Sequence, residues 1–366
     1  MRYYLIAGEA SGDIYGSQLI EEIQILDPKS EIRFWGGDLM RSKSDNLVKH
    51  YKDTSVMGFF EVLKHIFKIL KNIDYCKNDI LEFKPDKIIY IDYPGFNLRI
   101  CKWAKEKGFI NHYYISPQIW AWKESRINAI KKDIDHMHVI LPFEKNYYKN
   151  KHEFEVHYSG HPLVNYINKF KSDIDFFNNN SIDRNRPVIA LLPGSRLQEI
   201  KKILPVFLSI VNIFKSYQFV IGGVESIDKE KYNKLIKNKK VKVVFNQTYN
   251  LLANAKVAIV TSGTASLEAA IFKVPQVVCY KTSLMTYLIG KMLINIKYIS
   301  LVNLILNKKV VDELVQGGLN SNTLKNSINR ILKEDSKSEM IISYNHLISM
   351  LYTENPSRKT AELIIR

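Results

Sequence analysis

The segment LLPGSRLQEI, residues 191–200, has residue types suited to binding an anion. An apolar run ends at Pro193, and Gly194, Ser195 and Arg196 come directly before a helical pattern. The first N–H groups of a helix lack intrahelical partners and carry partial positive charge, so they attract anions. Gly194 allows a close backbone approach, Ser195 supplies a hydroxyl and Arg196 a forked cation. These residues predict a diphosphate site without a metal ion, with an ordinary turn and a surface arginine as the alternative.

A second loop with similar chemistry lies in IVTSGTASLEAAIFKVPQVV, residues 259–278. Ser262, Gly263 and Thr264 follow a buried strand pattern and add N–H and hydroxyl donors for phosphates. Glu268 falls in the second turn of the next helix, where a carboxylate suits the two hydroxyls of a ribose. Its alternative role is to pair with the positive end of the helix dipole. Two such loops in one half of the chain indicate a nucleotide-binding domain.

The N-terminal loop AGEASGDIYGSQL, residues 7–19, follows the same strand–loop–helix plan with different residues. Its glycines recur every four residues, at Gly8, Gly12 and Gly16, which departs from the GxGxxG pattern of dinucleotide sites. Glu9 and Asp13 are acidic, and no cation follows them closely. The loop therefore favours a hydroxyl-rich sugar over a diphosphate. For Asp13 alone, a charge in the first turn of a helix is the favoured interpretation.

Asp92 is the candidate general base. It follows the buried strand pattern of residues 87–91, and Pro94-Gly95 then turns the chain into a helix. Open α/β sheets keep their chemistry at the carboxyl ends of the strands, and a dry site raises the pKa of a carboxyl toward neutrality. An inert cap for the following helix is the alternative.

Two further segments suggest apolar partners. YISPQIWAWKESRINAIKK, residues 114–132, carries Trp120 and Trp122, which we expect on a helix lining an apolar or sugar-stacking wall, with Arg126 and Lys131 beyond. VMGFFEVLKHIFKILKNI, residues 56–73, has a broad apolar sector opposite a basic polar face. This pattern is typical of a helix in a membrane interface or against acyl chains, and a buried core helix is the alternative.

Composition limits the class of protein. The 366 residues carry a net charge of +16, which favours a polyanionic partner such as nucleic acid, anionic lipid or a phosphorylated substrate, unless the lysines only solvate the surface. Three widely spaced cysteines predict a reducing compartment. The histidines lack HExxH spacing, and we expect no metal ion and no cofactor. Without a signal peptide or a membrane span, a cytoplasmic location is expected.

Strand patterns alternating with helical patterns predict an α/β protein with two doubly wound parallel sheets facing a cleft. The expected domains are residues 1–170 and 185–344, joined by an asparagine-rich linker, with residues 345–366 packing back onto the first domain. The predicted strands are 2–7, 31–35, 87–92, 111–116, 136–141, 155–159, 187–192, 217–222, 241–245, 256–261, 276–280 and 298–302.

Nine short blocks, in order along residues 7–305, resemble those of the lipid-A-disaccharide synthase family. They are AGEASGD, VMGFFEVL, IDYPGFN, YISPQIWAW, LPFE, GHPLV, LLPGSRLQEI, TSGTASLEAA and YISLVNLI. The resemblance implies a GT-B glycosyltransferase that is inverting and independent of metal. It would join UDP-2,3-diacylglucosamine to 2,3-diacylglucosamine 1-phosphate (lipid X), giving a β-1,6-linked disaccharide 1-phosphate and UDP, the UDP-sugar being a substrate and not a cofactor.

The resemblance also assigns residues. It implies that Asp92 is the base, that Glu9 and Ser11 lie beside the reacting sugars, that Arg196 contacts UDP and that Asn303 lies near the donor. Family members often carry a second aspartate where this chain has Gly95, so Asp92 acts alone or with Glu9.

Residues 56–73 would form the acyl and membrane patch, attaching the protein peripherally to the cytoplasmic face of the inner membrane. The alternatives are a UDP-sugar epimerase of the same two-domain plan and a basic nucleic-acid-binding protein, although we expect no nucleic acid as partner. A homodimer is the expected alternative to a monomer.

Overall fold

A computed structural model describes residues 1–54, 66–237, 239–294 and 296–366. Tertiary contacts divide the chain into two compact units. Unit 1 comprises Met1–Asn165 and Leu351–Arg366, and unit 2 comprises Tyr166–Met350. Each unit contains its own parallel sheet with helices between successive strands, which confirms the expected α/β class with two Rossmann-like sheets.

Unit 1 is built on a seven-stranded sheet in the order β3-β2-β1-β4-β5-β6-β7, with every pair parallel. Its strands are β1 Arg2–Ala7, β2 Glu31–Gly36, β3 Leu47–His50, β4 Lys87–Ile91, β5 Ile110–Tyr114, β6 His136–Val139 and β7 His157–Tyr158. The helices described in this part of the chain are α1 Ala10–Leu26, α2 Asp38–Arg41, α3 Tyr51–Thr54, α4 Ile66–Phe83, α5 Pro94–Glu106, α6 Ile127–Asp133, α7 Pro142–His152 and α8 Pro162–Asn168.

Unit 2 repeats the plan with a six-stranded parallel sheet in the order β10-β9-β8-β11-β12-β13. Its strands are β8 Val188–Leu192, β9 Gln218–Gly223, β10 Val241–Phe245, β11 Ala255–Thr261, β12 Gln276–Tyr280 and β13 Asp312–Val315. The helices described from here on are α9 Phe176–Asn179, α10 Leu197–Leu208, α11 Lys229–Ile236, α12 Thr248–Ala253, α13 Thr264–Ile271, α14 Leu284–Leu293, α15 Leu301–Leu306, α16 Ser321–Ile331, α17 Glu334–Leu351 and α18 Pro356–Ile365. The last of these, α18, packs against α1 in unit 1.

The central strands form because short apolar runs can be buried on both faces of a parallel sheet. Every residue of β4 (KIIYI) and of β8 (VIALL) is buried. In unit 1 the strand order reverses between β1 and β4, and in unit 2 between β8 and β11. Ligands of open α/β sheets bind at such switch points, beyond the carboxyl ends of the strands. The loops after these four strands carry most of the candidate site residues.

One predicted strand is wrong. Residues 298–302 do not form a strand, because Ser300 caps a helix: its side-chain oxygen accepts a hydrogen bond from Asn303 N, and α15 begins at Leu301. The edge strand of unit 2 is instead β13, which pairs with β12. The edge strand β3 of unit 1 also escaped prediction, since its four residues are only half-buried and lack a continuous apolar run.

Candidate active site

Asp92 lies directly after β4 in a conformation that few side chains adopt. Its φ is +48° and that of Tyr93 is +50°, two successive left-handed residues before α5. Such backbone persists where surrounding contacts hold it. Here the Asp92 carbonyl accepts hydrogen bonds from Asn97 Nδ2 at 2.7 Å and from the Tyr113 hydroxyl at 2.6 Å. We call residues 92–93 the elbow. The two hydrogen bonds to the Asp92 carbonyl hold the backbone that carries the Asp92 side chain.

The pKa of the Asp92 carboxyl is raised toward neutral pH. Burial, followed by the negative charge of Glu9 and a smaller effect of Glu144, raises its pKa to about 7, while the Tyr93 N–H opposes the rise. A carboxyl of this kind exchanges its proton near physiological pH, which is the property that a general base needs. Asp92 thus lies at the carboxyl end of β4, and its role as a general base stays a prediction.

Glu9 approaches Asp92 because the β1–α1 loop packs on the elbow. A Cβ at Gly8 would overlap the Tyr93 ring, so glycine permits this contact. Glu9 is the extended residue that precedes α1, and Ser11 lies in the first turn of that helix, both partly buried.

Asp13 has a structural role. Its buried carboxylate accepts hydrogen bonds from the backbone N–H groups of Gly37, Leu39 and Met40 at 2.7, 3.0 and 3.0 Å, and so caps α2. Gly16 faces the Met40 sulfur, where a Cβ would not fit. Gly16 thus serves the packing of α1 against Met40, and the Asp13 carboxylate is engaged in capping α2.

The prediction that Trp120 and Trp122 lie on a helix is wrong. They lie in the turn that precedes the short 3₁₀ helix Glu124–Arg126. This turn is held by Glu144, a buried carboxylate that accepts hydrogen bonds from Ser116 Oγ at 2.8 Å and Trp120 Nε1 at 3.0 Å. Glu144 was not singled out from the sequence, although its place two residues after Pro142, in the first turn of a helix, is a recognisable capping signal.

In unit 2, Gly194 has a φ of +109° and Ser195 and Arg196 are exposed at the start of α10. Arg196 Nη1 forms an ion pair with Glu199 Oε1 at 3.2 Å. The other carboxylate oxygen of Glu199 faces Gly194, where an added Cβ would approach it to 2.6 Å. Glu199, which was not singled out from the sequence either, therefore positions the guanidinium at the carboxyl end of β8.

The second loop of unit 2 is partly committed to internal contacts. Ser262 Oγ donates a hydrogen bond to the Ile299 carbonyl at 2.7 Å, while Gly263 and Thr264 are exposed. Glu268 accepts a hydrogen bond from the Tyr249 hydroxyl at 3.2 Å, and burial raises its pKa to about 7.

Asn303 is fully buried. Its Nδ2 donates to the Val311 carbonyl and to Glu313 Oε1, both at 2.9 Å, and its Oδ1 accepts from the backbone N–H groups of Val310 and Val311. Glu313 in turn accepts the N–H groups of Ile299 and Ser300. The Asn303 amide is thus engaged within residues 299–313, and its place near the donor stays a prediction.

The predicted amphipathic helix, residues 56–73, lies partly outside the described residues, which resume at residue 66. Within α4, Phe67 is 84% exposed and Leu70 is also exposed, but Ile73 and Asn72 are buried. The predicted division into an apolar and a polar face therefore holds only in part. Among the residues that the structure describes, no helix has both the length and the apolar composition needed to cross a bilayer.

Comparison with known proteins decides the family. Residues 3–364 match the sequence model of the family described as Lipid-A-disaccharide synthetase. The chain belongs to this family. It is 33% identical to the lipid-A-disaccharide synthase of Coxiella burnetii (strain CbuG_Q212) over 98% of this chain and 96% of that one. It is 35% identical to lipid-A-disaccharide synthase 1 of Legionella pneumophila (strain Lens), over 93% and 91%.

Solved structures support the fold of the family. The UDP-GlcNAc 2-epimerase of Neisseria meningitidis, bound to UDP-GlcNAc, superposes with a TM-score of 0.68 over 100% of this chain and 98% of that one, at 13% identity. The sucrose-phosphate synthase of Thermosynechococcus elongatus gives a TM-score of 0.59 over 99% and 98%, also at 13% identity. At such low identity these likenesses show the GT-B type of fold alone.

Proposed function

We propose that this protein is a lipid-A-disaccharide synthase. It transfers 2,3-diacylglucosamine from UDP-2,3-diacylglucosamine to the 6-hydroxyl of 2,3-diacylglucosamine 1-phosphate, releasing UDP. The observation that carries the proposal is the family match over residues 3–364. A carboxyl with a pKa of about 7 at the end of β4 supplies the base that this reaction needs.

In the proposed reaction, unit 1 binds the acceptor. Asp92 takes the proton of the acceptor 6-hydroxyl as the oxygen attacks the anomeric carbon of the donor from the face opposite UDP. The bond from that oxygen to the anomeric carbon forms, and the bond from the anomeric carbon to the diphosphate oxygen breaks. The configuration inverts, and the transition state resembles an oxocarbenium ion, as in glycoside hydrolysis. Glu9 assists by keeping the pKa of Asp92 near neutrality.

Unit 2 binds UDP in this proposal. Arg196 and the N–H groups at Gly194 and Ser195 stabilise the charge that develops on the departing diphosphate. The exposed Gly263 and Thr264 add donors at the neighbouring strand end. Glu268 binds the ribose hydroxyls, and Asn303 supports the site through its hydrogen bonds within residues 299–313.

Membrane association is part of the proposal. In unit 1, Phe67 and Leu70 are exposed beside the exposed Lys68 and Lys71. In unit 2, six neighbouring apolar side chains of α14 and the residue after it are exposed, and we call them the α14 surface: Leu284, Met285, Leu288, Met292, Leu293 and Ile294. Residues 281–297 contain three lysines and no acidic residue. Apolar side chains among lysines suit an anionic lipid surface.

The test is to incubate the purified protein with both lipid substrates in detergent and to identify the products by mass spectrometry. We expect the disaccharide 1-phosphate and one UDP per disaccharide. Arg196→Ala should slow turnover about 100-fold, because the variant lacks a preorganised cation at the leaving group. Lys201→Ala, an exposed lysine on the same helix, is the matched control and should retain the rate. A wild type that epimerises the donor sugar, or makes no disaccharide, contradicts the proposal.

A further inference from the structure

A cavity of about 340 Å³ opens in unit 1 beside the elbow. Tyr93 and Phe96 contribute apolar walls, and the charged residues of the lining are all cations: Arg99, Lys123 and Arg126. No carboxylate lines it among the residues that the structure describes. Tyr93, the second residue of the elbow, lines the cavity, so the cavity adjoins the backbone that carries the candidate base.

Within residues 1–54 and 66–237, and in the rest of the described chain, the cations of this cavity have no acidic partner. In the described parts of the chain, none of Arg99, Lys123 and Arg126 takes part in an ion pair, whereas Glu124, which lies between two of them in sequence, pairs with Lys151 at 2.7 Å. Glu124 also accepts a hydrogen bond from the Tyr147 hydroxyl. Glu124 is therefore engaged with residues of α7 and does not neutralise the positive charge of the cavity.

Two of the cations are held on one aromatic ring. Lys123 Nζ lies 4.5 Å and the Arg126 guanidinium carbon 5.4 Å from the centre of the Trp122 ring. Cation–π contacts with the same ring place both side chains at this turn, where an anion could contact either of them. Arg126 is half-buried, so a charge-assisted bond to it is stronger than one formed in open water.

From this arrangement we infer that Arg99, Lys123 and Arg126 bind the 1-phosphate of the acceptor, while the apolar walls hold the first part of an acyl chain. The inference rests on the proposed function, which supplies an acceptor with a phosphate monoester. A doubly charged monoester at a cluster of two arginines and a lysine is a favourable match, since arginine binds phosphate in a forked geometry. The donor has no monoester, so this cavity distinguishes the acceptor from the donor.

The experiment compares two acceptors, 2,3-diacylglucosamine 1-phosphate and its phosphate-free form, in detergent with the same donor. The variants are Arg99→Ala, Lys123→Ala and Arg126→Ala, with Arg126→Lys as the conservative change. Lys102→Ala, an exposed lysine of α5 outside the cavity, is the matched control. A second readout is the ³¹P line width of the phosphorylated acceptor in micelles, which reports binding without turnover.

We expect the wild type to prefer the phosphorylated acceptor. The ratio of kcat/KM between the two acceptors should fall about tenfold for each cation that is replaced by alanine. Arg126→Lys should retain part of the ratio, and Lys102→Ala all of it. The ³¹P line should broaden with the wild type and the control but remain narrow with Arg126→Ala.

Unchanged ratios and line widths in the cavity variants overturn the inference while the proposed function stands. A wild type that makes no disaccharide, but broadens the ³¹P line in a way that depends on Arg126, supports the phosphate site and contradicts the proposed function. A wild type that neither makes the disaccharide nor broadens the line rejects both.

Discussion

Two carboxyl groups, one in each unit, have a pKa near neutral pH for the same reason. Burial raises the pKa of Asp92 and of Glu268 to about 7. They differ in their neighbours, since Asp92 faces the charge of Glu9 whereas Glu268 accepts a hydrogen bond from Tyr249. The charge of Glu9 adds to the rise in the pKa of Asp92, whereas the Tyr249 hydroxyl favours the charged form of Glu268. The chemistry of each residue thus follows from one adjacent group.

The pH dependence of turnover tests the role of Asp92. Only the deprotonated carboxylate accepts a proton, so kcat/KM should rise with pH through about 7, the pKa of Asp92. Asp92→Asn should remove this rise and lower turnover by about 100-fold or more. Glu9→Gln should shift the rise toward lower pH, because it removes a negative charge beside Asp92. A rise that keeps its position in Glu9→Gln contradicts the coupling of these two carboxyls.

Stability should change in the opposite direction to activity. The folded-state pKa of Asp92 lies above its ordinary value of 3.8, so the folded protein holds this proton more tightly than the unfolded chain does. The stability that the protonated form contributes is complete below the unfolded pKa and is lost as pH rises through about 7. Asp92→Asn should therefore raise Tm more at pH 8 than at pH 5, measured by calorimetry. An equal change in Tm at both pH values would falsify this account.

At the scale of elements, the buried central strands and Asp92 could be predicted from the sequence. A continuous apolar run such as residues 187–192 identifies a buried strand, and a polar residue at its carboxyl end marks the site. Two of the four edge strands, β3 and β13, could not be predicted, because they bury too little apolar surface to produce such a run. The contacts of Glu144 could not be predicted, because its partners Ser116 and Trp120 are distant in sequence. The pairing of Glu199 with Arg196 is local, and the spacing of three residues at the start of one helix could have indicated it.

The hydrogen bonds that hold the elbow connect three elements, because they join the residue after β4 to Tyr113 in β5 and to Asn97 in α5. Tyr113→Phe removes one of the two donors to the Asp92 carbonyl. We expect kcat to fall about tenfold with little change in KM, because the carboxylate loses its position and the substrate sites are untouched. The free energy of unfolding should fall by about 1 kcal/mol, as for one hydrogen bond.

Tyr90→Phe is the matched control for the elbow. The Tyr90 hydroxyl donates to Asn111 Oδ1 at 3.0 Å on the same sheet, and its ring stacks on that of Tyr113 with centroids 5.9 Å apart. The control should lose similar stability and keep its kcat. Equal losses of kcat in both variants would show that the effect comes from general loosening of the sheet and not from the elbow.

For the whole molecule, the proposed membrane association would use both the net charge of +16 and the exposed apolar residues of the two units. Lysines near an anionic surface contribute about 1 kcal/mol each, and the contribution falls off within a Debye length. Apolar side chains that enter the interface add about 1.5–3 kcal/mol each when fully buried. Because neither contribution alone gives lasting attachment, the proposed membrane association requires both.

The α14 surface should carry a measurable part of this binding. Leu288→Glu combined with Met292→Glu, the latter residue being 85% exposed, places two carboxylates where the apolar side chains would meet lipid. Partition onto phosphatidylglycerol vesicles, measured by flotation, should fall about tenfold or more. Ile342→Glu, at a residue 67% exposed on α17, changes charge in the same direction without touching this surface and should lower partition only slightly. A double variant that floats like the wild type at low and high salt assigns membrane binding to other residues, and sedimentation shows whether α14 instead joins two copies of the chain.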